Sequence, residues 1–229
     1  ETDIPVYASI DDGGYRPRET FSHGMFRGMA SHILSQGADG IYLFNQYYGQ
    51  YMSEYDGQLH LEDEGQVCRV MMPCLLQELG SLETLKYRNK IYCLNDAEWE
   101  YGMVNHPQLP LTVSENNTTS VKIYIGDNPK ETIPEEAVLF FRLNKTSECD
   151  IFINGKQLTE EKSAYVQLYD RARGLVDQDQ EYAFIIPVDY LNQGYNEVRF
   201  QGSEPSVSFQ VKRLELALKY GDVKTHGYF

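Results

Sequence analysis

Apolar and polar positions alternate differently in the two halves of this chain. Residues 4–10, Ile4-Pro5-Val6-Tyr7-Ala8-Ser9-Ile10, are apolar and β-prone, and Asp11-Asp12-Gly13-Gly14 stops the run. Residues 20–36 then carry Phe21, Met25, Met29, Ile33 and Leu34 at helical spacing, with Thr20 or Ser22 as a cap and Gly37 as the stop. Ala38-Asp39-Gly40 leads into Ile41-Tyr42-Leu43-Phe44, nearly all apolar, which predicts a strand buried on both faces as in parallel sheets. Strand, helix and strand together predict one βαβ unit. A polar stretch rich in Tyr, Glu and Gly, residues 46–66, reads as a long loop. A second helical block covers residues 67–79 and closes at Gly80, and Ser81 caps a short third helix reaching Tyr87.

From Ile91 the period changes to that of strands. Short β-prone runs fall at residues 91–94, 120–125, 137–143, 150–153, 182–186, 197–201 and 207–220. Turn signals separate them: Gly126-Asp127-Asn128-Pro129, Asn154-Gly155, Asn192-Gln193-Gly194 and Gly202-Ser203. Asn154-Gly155 between Ile153 and Lys156 is a two-residue hairpin signal. The fold class expected is α+β. A partial barrel-like βαβ segment with helices occupies residues 1–90, an antiparallel jelly-roll β-sandwich residues 91–222, and a tail residues 223–229.

Composition narrows the partners. The 229 residues hold 34 acidic and 20 basic side chains, a formal net charge of −14, which argues against binding nucleic acid through its phosphates. No apolar run reaches the length of a membrane span. The four cysteines, Cys68, Cys74, Cys93 and Cys149, form no C-x-x-C pair, and Cys68 and Cys74 read as core thiols. The five histidines show no metal-ligand spacing. Eighteen tyrosines suit strands and sugar-facing surfaces alike. The chain starts without Met and shows no signal peptide, which reads as a processed protein or a part of a longer one.

Two stretches in the second half, 149-CDIFINGKQL-158 and 184-FIIPVDYL-191 followed by 194-GYNEV-198, resemble the hairpin and late strand of galactose-binding-like jelly-roll domains of carbohydrate-active enzymes. In the first half, 27-RGMA-30, 36-QGADGIYLFN-45 and 75-LLQELGSLETL-85 resemble the end of a (β/α)8-barrel glycoside hydrolase, with a G-A-D-G-I turn entering the eighth strand. The resemblance implies a bacterial, secreted or periplasmic carbohydrate-active protein with an accessory sandwich. A complete barrel needs eight strands and about 250 residues. The expectation is therefore the C-terminal portion of a larger protein. Its open βαβ unit is expected to pack against the sandwich, a second copy (a homo-oligomer) or a missing upstream barrel.

Candidate chemistry follows from barrel geometry, which places reacting groups at the C-terminal ends of strands. Asp11 and Asp12 end the first strand and are vestigial catalytic candidates. Arg16 follows in the same loop as Arg18 and Glu19, Asn45 ends the second strand, and Tyr47 and Tyr48 are placed to stack on a sugar ring. The resemblance implies a Glu nucleophile on the seventh strand, where this chain has Asp-Asp, and an acid/base on a fourth strand that the chain lacks. Glycoside hydrolysis needs both carboxyl groups, so no independent catalysis is expected. In the sandwich, Tyr169 and Arg171 lie in a loop, residues 165–180, whose aromatic faces and guanidinium forks suit a saccharide. Asp170, Asp177 and Asp179 carry oxygens for a structural Ca²⁺, but their spacing does not support a site, and no cofactor is expected. Plainer readings stand beside these: Asp11-Asp12-Gly13-Gly14 is also an ordinary turn, and residues 165–180 also suit a solvated loop. The alternative function is a non-catalytic structural or protein-interaction module not tied to sugars.

Overall fold

The computed structural model describes residues 4–11, 23–44, 76–95, 108–114, 118–162, 180–203 and 208–221. At the N-terminus, β1 (Tyr7–Asp11), α1 (His23–Ser35) and β2 (Gly40–Phe44) form a strand–helix–strand unit. The strands pair in parallel, Tyr7 opposite Gly40 through Asp11 opposite Phe44. The expected caps Thr20 and Ser22 lie outside the described residues. Gly37 ends α1 at a φ of 95°, which a glycine adopts without strain, and its N–H donates to Leu34 O at 3.0 Å. Asp39 then stitches the two strand entrances together. Its carboxylate accepts from Val6 N at 2.7 Å, and its own N–H donates to Val6 O at 2.8 Å.

The expectation that β2 is buried on both faces is corrected here. Ile41 and Leu43 turn toward α1, where Ile10, Phe26, Ala30, Leu79 and Leu85 form a small core. The other face carries Tyr7, Tyr42 and Phe44, which are 63%, 56% and 44% exposed. A single helix covers one side of a sheet, and nothing among the described residues covers the other. Residues 76–78 are helical and precede Gly80, in keeping with the second helical block, whose expected start lies outside the described residues. The third helix, α2 (Leu82–Leu85), is capped as expected, with Ser81 Oγ accepting from Thr84 N at 3.1 Å. It stops at Leu85, short of Tyr87, which takes a positive φ of 58° incompatible with a continuing helix.

The rest is a β-rich, antiparallel sandwich. One sheet orders β3 (Lys90–Asn95), β11 (Ser208–Lys219), β6 (Glu136–Leu143) and β9 (Gln180–Ile185), with β4 (Leu111–Ser114) continuing the β3 edge along β11. The other orders β5 (Thr119–Ile125), β10 (Gly194–Gly202), β7 (Cys149–Ile153) and β8 (Lys156–Gln157). The sheets meet through every second residue. Leu139, Phe141, Leu143, Ile153, Val198, Phe200, Leu214, Leu216 and Leu218 are fully buried between them. Fully burying one such side chain contributes about 1.5–3 kcal/mol before entropy is charged against it.

The two stretches that carried the jelly-roll resemblance meet in space. Asn154 and Gly155 have φ of 49° and 79°, the left-handed pair that a type I′ hairpin turn requires. The Asn154 side chain then crosses to β10. Its Nδ2 donates to Asn196 Oδ1 at 2.8 Å and to Tyr190 O at 2.8 Å, and its Oδ1 accepts from Glu197 N at 3.0 Å. Asn196 is wholly buried and donates to Asn192 O and Gly194 O at 2.8 and 3.0 Å, so it ties the turn entering β10 to its own strand. The Asn in each motif is thus explained by backbone groups that need a partner.

The outer face of the five-stranded sheet is not left to solvent. Ile91, Val138, Phe140, Ala183 and Ala217 form a second apolar layer there, and Met25 of α1 packs into it. The helix comes close enough that glycine is needed at two contacts. A Cβ on Gly28 would sit 2.1 Å from Ile91 O, and one on Gly126 would sit 2.4 Å from Ser31 O. The helix α1 therefore has a core on each side, one with the parallel pair and one with the sandwich.

Candidate functional site

The parallel register places Asp11, the last residue of β1, beside Phe44, the last of β2. That is the strand-end position from which the sequence reading argued. Asp12, Arg16, Asn45, Tyr47 and Tyr48 lie outside the described residues, as do Tyr169, Arg171 and the three aspartates at 170, 177 and 179. The described part of this region is the aromatic face behind the strand ends. The Tyr7 ring packs against Gly40, where a Cβ would come within 2.6 Å of Tyr7 Cε1. Tyr42 and Phe44 stand with ring centroids 6.2 Å apart.

A second concentration of chemistry sits at the junction of α1, α2 and the sandwich, and the sequence reading did not single it out. Lys90, at the start of β3, is fully buried. Its ammonium donates to Leu85 O at 2.6 Å and Arg88 O at 2.9 Å, and pairs with Asp127 Oδ2 at 2.9 Å. Asp127 Oδ2 also accepts from the Tyr220 hydroxyl at 2.6 Å. Asp127 Oδ1 accepts from Ser31 Oγ at 2.9 Å, and the Tyr92 hydroxyl lies 3.2 Å from it and 3.0 Å from Ser31 Oγ. Asn89 joins the cluster by accepting from Tyr220 N through Oδ1 at 2.8 Å. Beside it Arg27 Nε pairs with Glu78 Oε2 at 2.6 Å.

A buried lysine beside an aspartate and two tyrosines is the inventory of many active sites, so its occupancy decides the reading. An ammonium has three donors, and all three of Lys90's are taken by protein oxygens. Both oxygens of Asp127 are taken as well. Burial lowers the Lys90 pKa, and the neighbouring Asp127 charge works against that shift. Burial and then the Asp127 charge raise the pKa values of Tyr92 and Tyr220. The groups satisfy one another. What the arrangement does is fasten: Ser31 comes from α1, Lys90 and Tyr92 from β3, Asp127 from the turn after β5, and Tyr220 from the end of β11.

A different buried pair lies on the outer face of the five-stranded sheet. Arg213 Nε and Glu215 Oε1 are in contact, both side chains almost fully buried. Burial raises the Glu215 pKa and the Arg142 charge opposes it. Glu215 Oε2 has no hydrogen-bond partner among the described residues. Cys149 is not poised as a nucleophile: burial, and then the Asp150 charge, pushes its thiol up to about 12. Among the described residues no group of three or more His, Cys, Asp or Glu is placed to hold a metal ion, and no helix is long and apolar enough to cross a membrane.

Comparisons with known proteins give no family. No protein-family model matches the sequence, and no curated protein matches it. Among solved structures, the fold aligns with a β-porphyranase of glycoside hydrolase family 86 from the human gut bacterium Bacteroides plebeius, at 13% identity and a TM-score of 0.37. That alignment covers 58% of this chain and 21% of the other. A BuGH86 variant in complex with neoagarooctaose aligns at 12% identity and a TM-score of 0.35, over 56% of this chain and 19% of that one. A structure of infectious bursal disease virus, Gx strain, aligns at 13% identity and a TM-score of 0.23. The chain thus spans about a fifth of the family 86 chains. Likeness at these TM-scores carries no argument about chemistry.

Proposed function

We propose that this chain is the C-terminal portion of a glycoside-hydrolase-like, carbohydrate-active protein. The first ninety residues supply the last βαβ of a barrel, and the sandwich is an accessory of carbohydrate-binding type without catalysis of its own. The observation that supports the barrel reading is the state of β1 and β2. They are parallel, joined by a helix on one side, and their other face exposes Tyr7, Tyr42 and Phe44. Parallel strands occur almost only in sheets covered on both faces. A pair with one face bare among the described residues calls for further strands of the same kind. Asp11 then stands on the rim of a site completed by residues from preceding strands.

The sequence preceding Glu1 is the test. A longer polypeptide carrying it should hydrolyse a polysaccharide that this chain alone leaves intact. Turnover of an aryl glycoside by this chain alone, abolished by Asp11→Asn, contradicts the proposal. So does a reading frame that opens within a few residues of Glu1.

A further inference from the structure

We infer that the outer face of the four-stranded sheet is a saccharide-binding platform centred on Tyr195. On this face, cross-strand neighbours form rows. Tyr124 of β5 lies opposite Tyr195 of β10, and Lys122 opposite Glu197. In the next row Arg199 lies opposite Phe152 of β7. Tyr195 is 64% exposed, although it belongs to a well-formed strand pair.

A single exposed tyrosine on a strand needs no explanation beyond β-propensity. The fixing of its ring does. Tyr195 packs edge-on to Tyr124 at 5.2 Å, and Tyr124 packs edge-on to His32 of α1 at 4.7 Å. One His32 ring nitrogen lies 2.7 Å from Gln36 Nε2, so the far end of the stack is also held. The exposed ring is thus oriented before any ligand arrives, which lowers the entropy cost of binding to it.

The neighbouring row gives the ligand its class. Glu197 accepts from Ser120 Oγ at 2.8 Å, and its strand partner across the pair is Lys122. One step further, Arg199 lies over the Phe152 ring at 4.1 Å. Acceptors and donors alternate beside an aromatic face. A sugar ring matches that pattern, because its C–H face stacks on an aromatic and its hydroxyls both donate and accept. A protein partner would ask for an apolar interface core depleted of charge, and this face has charges in its middle rows. Nucleic acid is disfavoured by the net charge of −14. The ligand class is a neutral polysaccharide lying along the sheet. This rests on the carbohydrate-active reading for its class of ligand and on the geometry of this face for its place.

Affinity electrophoresis of the full chain tests the inference, with separate gels containing a β-glucan, a xylan and a galactan. At least one gel should retard the chain. Tyr195→Ala should weaken that binding about tenfold, the scale of one lost aromatic contact plus its neighbours. Glu197→Gln should weaken it about threefold. Both residues are on the surface, so melting temperatures should stay close to wild type. No retardation in any gel overturns the platform, and so does retardation unchanged by Tyr195→Ala. The second result leaves the carbohydrate-active reading intact and moves the binding elsewhere. The hydrolysis test on the longer polypeptide judges that reading independently of either.

Discussion

The sandwich and the βαβ unit solve the same problem with unequal success. The sandwich has two sheets, so each inner face has an apolar face opposite it, and even the outer face of the larger sheet is covered by α1. The βαβ unit has one helix for two sheet faces. It covers Ile41 and Leu43 and leaves Tyr42 and Phe44 bare. The sandwich therefore holds its own core, whereas the βαβ unit depends on what it is fastened to. The fastening is the Lys90–Asp127 cluster together with the close approach of α1 at Gly28.

The largest expected effect comes from breaking the cluster. Asp127→Ala leaves Lys90 buried without its counter-charge, and removing one partner of a buried pair costs about 3–5 kcal/mol. Urea denaturation should show a loss of that size; a loss under 1 kcal/mol would mean the cluster fastens nothing. Gly28→Ala comes next. Its methyl group meets Ile91 O, so α1 must move off β3, at a cost of about 1–3 kcal/mol. The same change at Gly80, where nothing lies within 4 Å, should be far milder in a parallel urea titration.

Alkali offers a graded version of the same test. Tyr92 and Tyr220 keep their protons in the folded state beyond the ordinary value of 10.0. Above that pH the unfolded chain binds fewer protons than the folded one, so stability falls as pH rises. Lys90 has the opposite sign: its lowered pKa makes stability rise with pH until the unfolded value of 10.5 is passed. Past that point the lysine's contribution is complete and the loss from the two tyrosines continues. The urea midpoint should drop between about pH 10.5 and 11.5, and Tyr92→Phe should flatten the drop. The smallest expected effect is Tyr42→Lys on the exposed face. It should change stability by about 0.5 kcal/mol or less, while lowering self-association in sedimentation at high concentration.

Much of this fold could be read from the chain because its signals are local. The β-prone run at residues 137–143, the Asn154-Gly155 turn and the Gly37 stop each act within a few residues. Short strands escaped. Leu111–Ser114 and Lys156–Gln157 are held by their neighbours β11 and β7, with too few residues to show a period. The exposure of Tyr42 could not be read, because an apolar run announces hydrophobicity and not how many layers surround it. The Lys90–Asp127 cluster was invisible for another reason. Asp127 sits in a sequence that reads as a plain turn, and Lys90 merely precedes a predicted strand; only the tertiary fold brings the two together. For the strand-end site, the register confirms only that Asp11 and Phe44 share one end of the pair.

Hydrogen exchange followed by mass spectrometry tests the contrast between the two regions most directly. In the wild-type chain the amides of Glu136–Leu143 and Ser208–Lys219 should exchange slowest, those of Tyr7–Asp11 and Gly40–Phe44 fastest, and those of α1 in between. In Asp127→Ala, α1 should lose its protection while β6 and β11 keep theirs. Equal protection of all these elements in the wild type, or their joint loss in the variant, would contradict the account and make the chain one cooperative unit.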